Sequence, residues 1–348
     1  MSLSSKIIAM LIVWIAFTGP SLAQDEFVGG KAIRIVTTGT PGGQSDQMAR
    51  IFADAVQNLH PNTQVRVENM RAQGNVVALK EVYESGPKEI DIAIISAGPI
   101  LKQMTDENLP FDLSKMKAIG SLASSNYLLA VRNDAQWDLR AEKFTQPQLT
   151  IGVHYRAASD YFMSQLLNTQ TNLDIKAVEG FETDVMVTTL LAGDFNAILL
   201  GASDPVSKNF PADLKPVLLI GQSNTYPDFT KSAPRLRDSL SQSSDMEIVN
   251  VLETISDAGR ILLAEPSISQ DDLNDVISAF TTIVSDPAYV TENQKIDVAI
   301  SPSDAATINS LFSSLLSKDS ALSLKIQSAL SCGVKQAEHR VGECSATP

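Results

Sequence analysis

The stretch Lys31-Ala32-Ile33-Arg34-Ile35-Val36-Thr37-Thr38-Gly39-Thr40-Pro41-Gly42-Gly43-Gln44-Ser45-Asp46 decides the fold. Ala32 to Val36 reads as a strand, and Pro41-Gly42-Gly43 as a turn of small residues. A helix begins near Ser45 or Asp46, because Met48, Phe52, Ala55, Val56 and Leu59 recur at three- and four-residue steps. Working outward, Val65-Arg66-Val67 is a second strand, Val76 to Tyr83 a second helix and Ile90 to Ile95 a third strand. This β-α-β-α-β run predicts an α/β unit with a mostly parallel sheet covered by helices.

The pattern restarts after Trp137. Leu149 to Val153 reads as a strand, Ala158 to Asn168 as a helix and Ile175 to Val178 as a strand. Asp184 to Leu191 is a helix stopped by Gly193, and Phe195 to Leu200 and Pro216 to Ile220 are further strands. A second α/β unit is therefore embedded inside the chain. From Gln270 onward the pattern is helical: Leu273, Val276, Ile277 and Phe280 share one face, and Ile308, Leu311, Phe312, Leu315 and Leu316 share another.

At roughly 100–200 residues per domain, 348 residues predict two domains. The formal net charge of -13 argues against a nucleic-acid partner, since phosphate binding needs a cationic face. Residues 1–23 read as a signal peptide: Lys6, an apolar stretch from Ile7 to Thr18, then Ser21-Leu22-Ala23 at the cleavage positions. The alternative, an uncleaved anchor, is disfavoured because a membrane span needs about 20 apolar residues. Gln24, where a lipoprotein would carry Cys, argues against a lipid anchor. The mature chain is expected in the periplasm, cut after Ala23. Cys332 and Cys344 are then expected to form a disulfide, contributing about 3 kcal/mol by loop closure. The alternative, a metal site, has only His339 nearby.

Catalytic patterns are missing. His60, His154 and His339 stand in unrelated contexts, and the chain lacks HExxH, GxSxG, GxxxxGK[ST] and GxGxxG. No cofactor, no metal and no enzyme activity is expected. His154 follows a strand and either lines a cleft or is an ordinary loop residue.

The device that recurs is strand, small-residue turn, helix. At Pro41 to Asp46 the glycines let the main chain approach a ligand, and the following helix start offers unpaired N–H groups and the positive end of its dipole. The dipole contributes about 0.3–1 kcal/mol and each charge-assisted hydrogen bond about 1.5–3 kcal/mol. Several together are needed for the roughly −8 kcal/mol of micromolar binding. A second such turn is His154-Tyr155-Arg156-Ala157-Ala158-Ser159, where Arg156 either pairs with a carboxylate or is solvated. A third is Glu179-Gly180-Phe181.

Lys31 to Val36, then Pro41-Gly42-Gly43-x-x-Asp46-x-x-Ala49-Arg50, Val65-x-Val67-Glu68-Asn69 and Gly74-Asn75 resemble the Bug/TctC-type family, the extracytoplasmic solute receptors of tripartite tricarboxylate transporters. The resemblance continues through Leu109-Pro110-Phe111-Asp112, Leu190-Leu191-Ala192-Gly193-Asp194, Asp286-Pro287 and Ser301-Pro302-Ser303-Asp304, over nearly the whole mature chain. It implies a periplasmic-binding-protein fold of type II-like form, two α/β lobes joined by two crossing strands with a ligand cleft between them. It also implies a monomer that captures a small carboxylate through main-chain N–H groups and delivers it to a membrane permease. Carried over, the first ligand loop comprises Thr38, Gly39, Thr40, Pro41, Gly42, Gly43, Ser45 and Asp46. Ser96, Ala97 and Gly98 follow on the same lobe. The opposing lobe offers Tyr155, Arg156, Ala157, Ala158 and Ser159, then Glu179 with Gly180, and Gly201 with Ala202.

The chain departs from the family where Thr38-Gly39-Thr40-Pro41 replaces an aromatic-Pro-Pro stretch, and where Glu179-Gly180 replaces a Tyr-Lys-Gly turn. Glu179 in the cleft would repel a full anion unless Arg156 offsets it, so the ligand expected is a di- or tricarboxylate, an aromatic acid or an amino acid. Lobe one is expected over 27–127 plus 255–348 and lobe two over 128–254, with crossings near Tyr127 to Val131 and Val251 to Gly259. The rival readings are a ligand-sensing partner of a histidine-kinase ectodomain and a secreted hydrolase.

Overall fold

The structure, a computed structural model, describes residues 26–70, 75–106, 108–135, 148–155, 158–170, 174–201, 210–221, 230, 233–240, 245–296, 298–317 and 320–337. The signal peptide lies outside them, as do Arg156, Ala157, Ala202 and Cys344. Cys332 is on the last helix, half-buried, and its expected disulfide partner falls outside the described residues. No described helix is long and apolar enough to cross a membrane.

The chain begins with β1 (Ile33–Thr37), α1 (Gln44–Leu59), β2 (Val65–Asn69), α2 (Val76–Tyr83), β3 (Ile90–Ile95), α3 (Gly98–Thr105) and β4 (Lys117–Ser121). Next come β5 (Tyr127–Arg132), β6 (Leu149–Val153), α4 (Ser159–Gln170), β7 (Ile175–Glu179), α5 (Thr183–Ala192), β8 (Ala197–Gly201), β9 (Leu214–Ile220) and α6 (Met246–Ala258). It closes with β10 (Ile261–Ala264), α7 (Gln270–Val284), α8 (Pro287–Lys295), β11 (Ser303–Asp304), α9 (Ala305–Leu315) and α10 (Ala321–Ala337).

Two sheets result, ordered β11-β4-β10-β3-β1-β2 and β7-β6-β8-β5-β9. In the first, β1 pairs parallel with β2 and β3, as the β-α-β-α-β run predicts. The sheet is nonetheless mixed, because β10 returns antiparallel between β3 and β4, and β11 pairs antiparallel with β4. β1 and β3 are buried along their whole length, as near-continuous apolar strands in a sheet covered on both faces must be. Their one buried charge pair is cross-strand: Arg34 Nε and Nη2 each donate to Asp91 at 2.7 Å, in register. In the second sheet β6 pairs parallel with β7 and β8, while β5 runs antiparallel between β8 and β9.

The crossings differ from the expectation. Tyr127 to Val131 belongs to β5, wholly inside the second sheet, and Val251 to Ala258 is helix. The chain passes between the sheets at Leu122 to Asn126 and at Gly259-Arg260. There the two passages bond to each other: Leu122 N donates to Arg260 O and Arg260 N to Ala123 O, both at 2.9 Å, and Ser125 N donates to Ser256 O at 2.7 Å. The continuous apolar run of β5 reads equally well as a crossing or as a central strand, and only its two partners decide.

α10 is a second correction. It packs chiefly on α4, with α3, α6, α9 and β7 beyond, so it does not belong to the first lobe alone. Its Ile326 and Leu330 join a core running continuously from Val36 and Ile95 to Leu129, Ile151 and Met163. This explains why α4 is buried all round, with Ser164, Gln165 and Asn168 enclosed beside its apolar residues.

Candidate functional site

The predicted loops lie at the carboxyl ends of β1, β3, β6, β7 and β8, the side of α/β sheets where ligands bind. Two of them meet across the lobes. Gly98 N donates to Ser159 Oγ at 2.9 Å, and Ser159 Oγ donates to Ser96 Oγ at 3.1 Å. Ala97, Gly98, Ala158 and Ser159 are buried at this contact, and Ser96 is half-buried. Tyr155 is exposed, Glu179 and Gly180 are exposed at the end of β7, and Gly201 is half-buried at the end of β8.

The first loop is built differently from the expectation. Gly42 N donates to Asp46 Oδ2 at 2.7 Å, and Gly43 N donates to Thr40 O at 2.8 Å. The two amides assigned to the ligand are thus taken by the protein's own oxygens, and that part of the reading is overturned. The reason is local. Gly42 has φ +79°, which tightens the turn and aims its N–H at the first turn of α1. A Cβ on Gly39 would meet Ser45 Cβ at 2.9 Å and Asp46 N at 3.1 Å, so this glycine serves close packing on the helix start. A Cβ on Gly43 would lie 3.0 Å from Thr40 O. Thr38 and Ser45 are half-buried, and Thr40 and Pro41 are exposed.

Asp46 is 2% exposed and anchors this loop rather than facing a ligand. Arg50 Nε donates to its Oδ2 at 3.1 Å, and Arg50 Nη2 lies 2.9 Å from Oδ1 as an ion pair. Arg50 Nη2 also donates to Asn69 Oδ1 at 3.2 Å, and Asn69 Nδ2 to Gly39 O at 3.0 Å, which ties β2 to the loop. Burial by itself would raise the Asp46 pKa; the hydrogen bonds from Arg50, Gly42 and Asn69 outweigh it and hold the carboxyl below its ordinary 3.8.

The opposing lobe repeats the device. Asp160, 3% exposed in the first turn of α4, accepts His154 N at 2.9 Å through Oδ2, which also lies 2.8 Å from His154 Nδ1. Its Oδ1 accepts Tyr161 N at 3.0 Å. Ala158 N donates to Tyr155 O at 2.8 Å and Gly180 N to His154 O at 2.7 Å, so these two expected main-chain donors are also engaged internally. A first-turn carboxylate is the common residue at any helix start, so nothing in the sequence separates Asp46 or Asp160 from an ordinary helix start.

The helix starts sort by position. α6, α7, α8 and α9 are capped by the side chains of Asp245, Ser269, Asp286 and Asp304. α1, α2 and α5, which follow β1, β2 and β7, have no side-chain cap, whereas at α3 the first amide, Gly98 N, is taken by Ser159 Oγ of the other lobe. The hydrogen-bond ladder of α1 begins with Gln47 N donating to Gly43 O at 2.9 Å, so the amides of Gln44, Ser45 and Asp46 precede it. Arg260, which the sequence reading missed, reaches this place from the hinge: Nη2 donates to Gln44 Oε1 at 3.3 Å and Nη1 to Ser125 Oγ at 3.0 Å. No group of three or more metal-ligating side chains occurs among the described residues.

No family model matches the sequence, and no curated protein matches it significantly. Solved structures do match. A TctC solute-binding protein from Polaromonas aligns with TM-score 0.65 at 15% identity, over 87% of this chain and 98% of that one. The R. palustris protein Rpa4515, solved with adipate, aligns with TM-score 0.65 at 14% identity, over 88% and 97%. MatC from Rhodopseudomonas palustris, solved with bound malate, aligns with TM-score 0.61 at 13% identity, over 86% and 99%. The chain has the two-lobed α/β fold of the TctC and Bug solute-binding proteins.

Proposed function

We propose that this protein is a solute-binding receptor, not an enzyme, which takes a small organic carboxylate between its lobes. The observation that carries the reading is the meeting of the β3 and β6 loops: Gly98 N and Ser96 Oγ of one lobe share Ser159 Oγ of the other. A ligand beside this contact is enclosed by both lobes, which strengthens its polar contacts by excluding water. Malate and adipate in proteins of this fold support an organic acid of that size class. The uncapped starts of α1 and α5 favour an anionic group over a neutral one. Because Gly42 and Gly43 hold their own loop, capture falls to first-turn amides and side chains around them.

The receptor is exported after cleavage following Ala23 and passes its cargo to a permease of the tripartite tricarboxylate type. Native mass spectrometry of freshly purified protein, followed by a thermal-shift screen of di- and tricarboxylates, aromatic acids and amino acids, tests the reading. A retained or stabilising organic acid is expected. No retained cargo and no shift with any of them sinks it.

A further inference from the structure

Arg235 Nη1 donates to the Gly221 carbonyl at 3.2 Å, and the described arginines 34, 50, 66, 132 and 237 each pair with a carboxylate: Asp91, Asp46, Glu89, Asp134 and Glu253. Arg260 does not. Its two terminal nitrogens meet only the neutral oxygens of Ser125 and Gln44, and its Nε is buried with no hydrogen-bond partner. No described carboxylate lies within ion-pair distance of it. A guanidinium drawn partly out of water without a counter-ion is costly, and the cost is relieved by an anion that can take two parallel N–H donors. The backbone leaves the side chain little freedom to seek one elsewhere. Arg260 N and O are both bonded to the opposite passage, and Gly259, at φ +37°, fixes the direction in which the chain leaves the hinge.

We infer that Arg260 is a ligand-binding residue whose missing counter-ion is a carboxylate of the bound acid, placed between the hinge and the start of α1. This rests on the receptor reading above and deepens it, because the site then selects an organic acid with a full negative charge at that end. It also couples binding to closure, since the guanidinium hangs from the hinge itself.

The test uses the tightest binder among succinate, L-malate, adipate and citrate, together with a monoamide of that acid, by isothermal titration calorimetry. Arg260→Gln is expected to weaken the acid at least twentyfold and the monoamide bound through its amide end by less than threefold. A hinge brace without ligand contact would weaken both alike, and that result, or unchanged affinity, overturns the inference while leaving the receptor intact. If none of the four acids binds wild-type protein, the reading of a di- or tricarboxylate receptor falls and this inference with it. Should Arg260→Gln not fold, the wild-type Nε–Hε resonance, assigned with Arg260→Lys, gives a second measurement. It is expected to shift on adding the acid and not on adding sodium chloride at equal ionic strength; no shift at saturating acid overturns the inference.

Discussion

Asp46 Oδ2 accepts the Gly42 amide at 2.7 Å, so the loop after β1 is closed by a carboxylate from the helix it precedes. The glycines there shape the loop, and the acid that occupies their N–H is part of the fold. Asp160 does the same for His154 in the other lobe.

Asp46→Asn is expected to cost about 1–3 kcal/mol at neutral pH, the loss for a buried charge-assisted hydrogen-bond set. The folded carboxyl lies below 3.8, so its stabilisation is present above that value and lost as pH falls through the folded value. Urea denaturation of both proteins at pH 7 and near pH 3 checks this. A wild-type advantage that does not shrink on acidification would contradict it.

Ser159→Ala removes the acceptor of the Gly98 amide and the hydrogen bond to Ser96. Leaving a buried N–H unpaired costs about 1–3 kcal/mol. Faster hydrogen exchange confined to the Ser96 to Gly98 turn and the start of α4 is expected. Exchange unchanged there would show that the lobes do not depend on this contact.

Gly259→Ala should be among the most damaging single changes. Its Cβ would lie 1.9 Å from Ala123 O and 2.6 Å from Ser125 N, on the passage it is bonded beside. Backbone atoms cannot yield as a flexible side chain does, so a loss of about 4 kcal/mol or more is expected. A midpoint of denaturation close to wild type would refute this account of the hinge.

Glu265 is fully buried, accepts Asp91 N at 2.9 Å through Oε2 and leaves Oε1 unpartnered. Burial pushes its pKa from 4.5 up to about 7, with the charges of Asp91 and Asp272 adding to the rise. The folded state therefore holds this proton more tightly than the unfolded chain, and stability falls as pH rises from 4.5 to 7, then levels off. Glu265→Gln carries no such proton, so this part of the slope, about 1–3 kcal/mol, should vanish. Denaturation series between pH 5 and 8 decide it, and equal slopes for both proteins would rule it out.

Much of this was legible in the sequence because it depends on local periodicity. β1, α1, β3 and the second α/β unit follow from the spacing of apolar residues, and Pro41-Gly42-Gly43 from the small residues a tight turn needs. The place of Tyr127 to Val131 was not legible, since a central strand and a crossing strand carry the same apolar pattern. α10 misled for a related reason: an amphipathic face says that something covers it, not which of two lobes does. The donors of Gly42, Gly43 and Gly180 were misread because a free amide and an internally bonded one have the same sequence.

The amino-acid order alone determined two α/β units, their strand-turn-helix joints and the side of each sheet where those joints gather. Tertiary structure decided which amides remain for a partner, where the hinge runs, and that Arg260 and Ser159 stand at the junction of the lobes. The division follows from range: propensity and apolar spacing act over a few residues, whereas hydrogen-bond satisfaction and charge pairing join groups as far apart in the chain as Gln44 and Arg260.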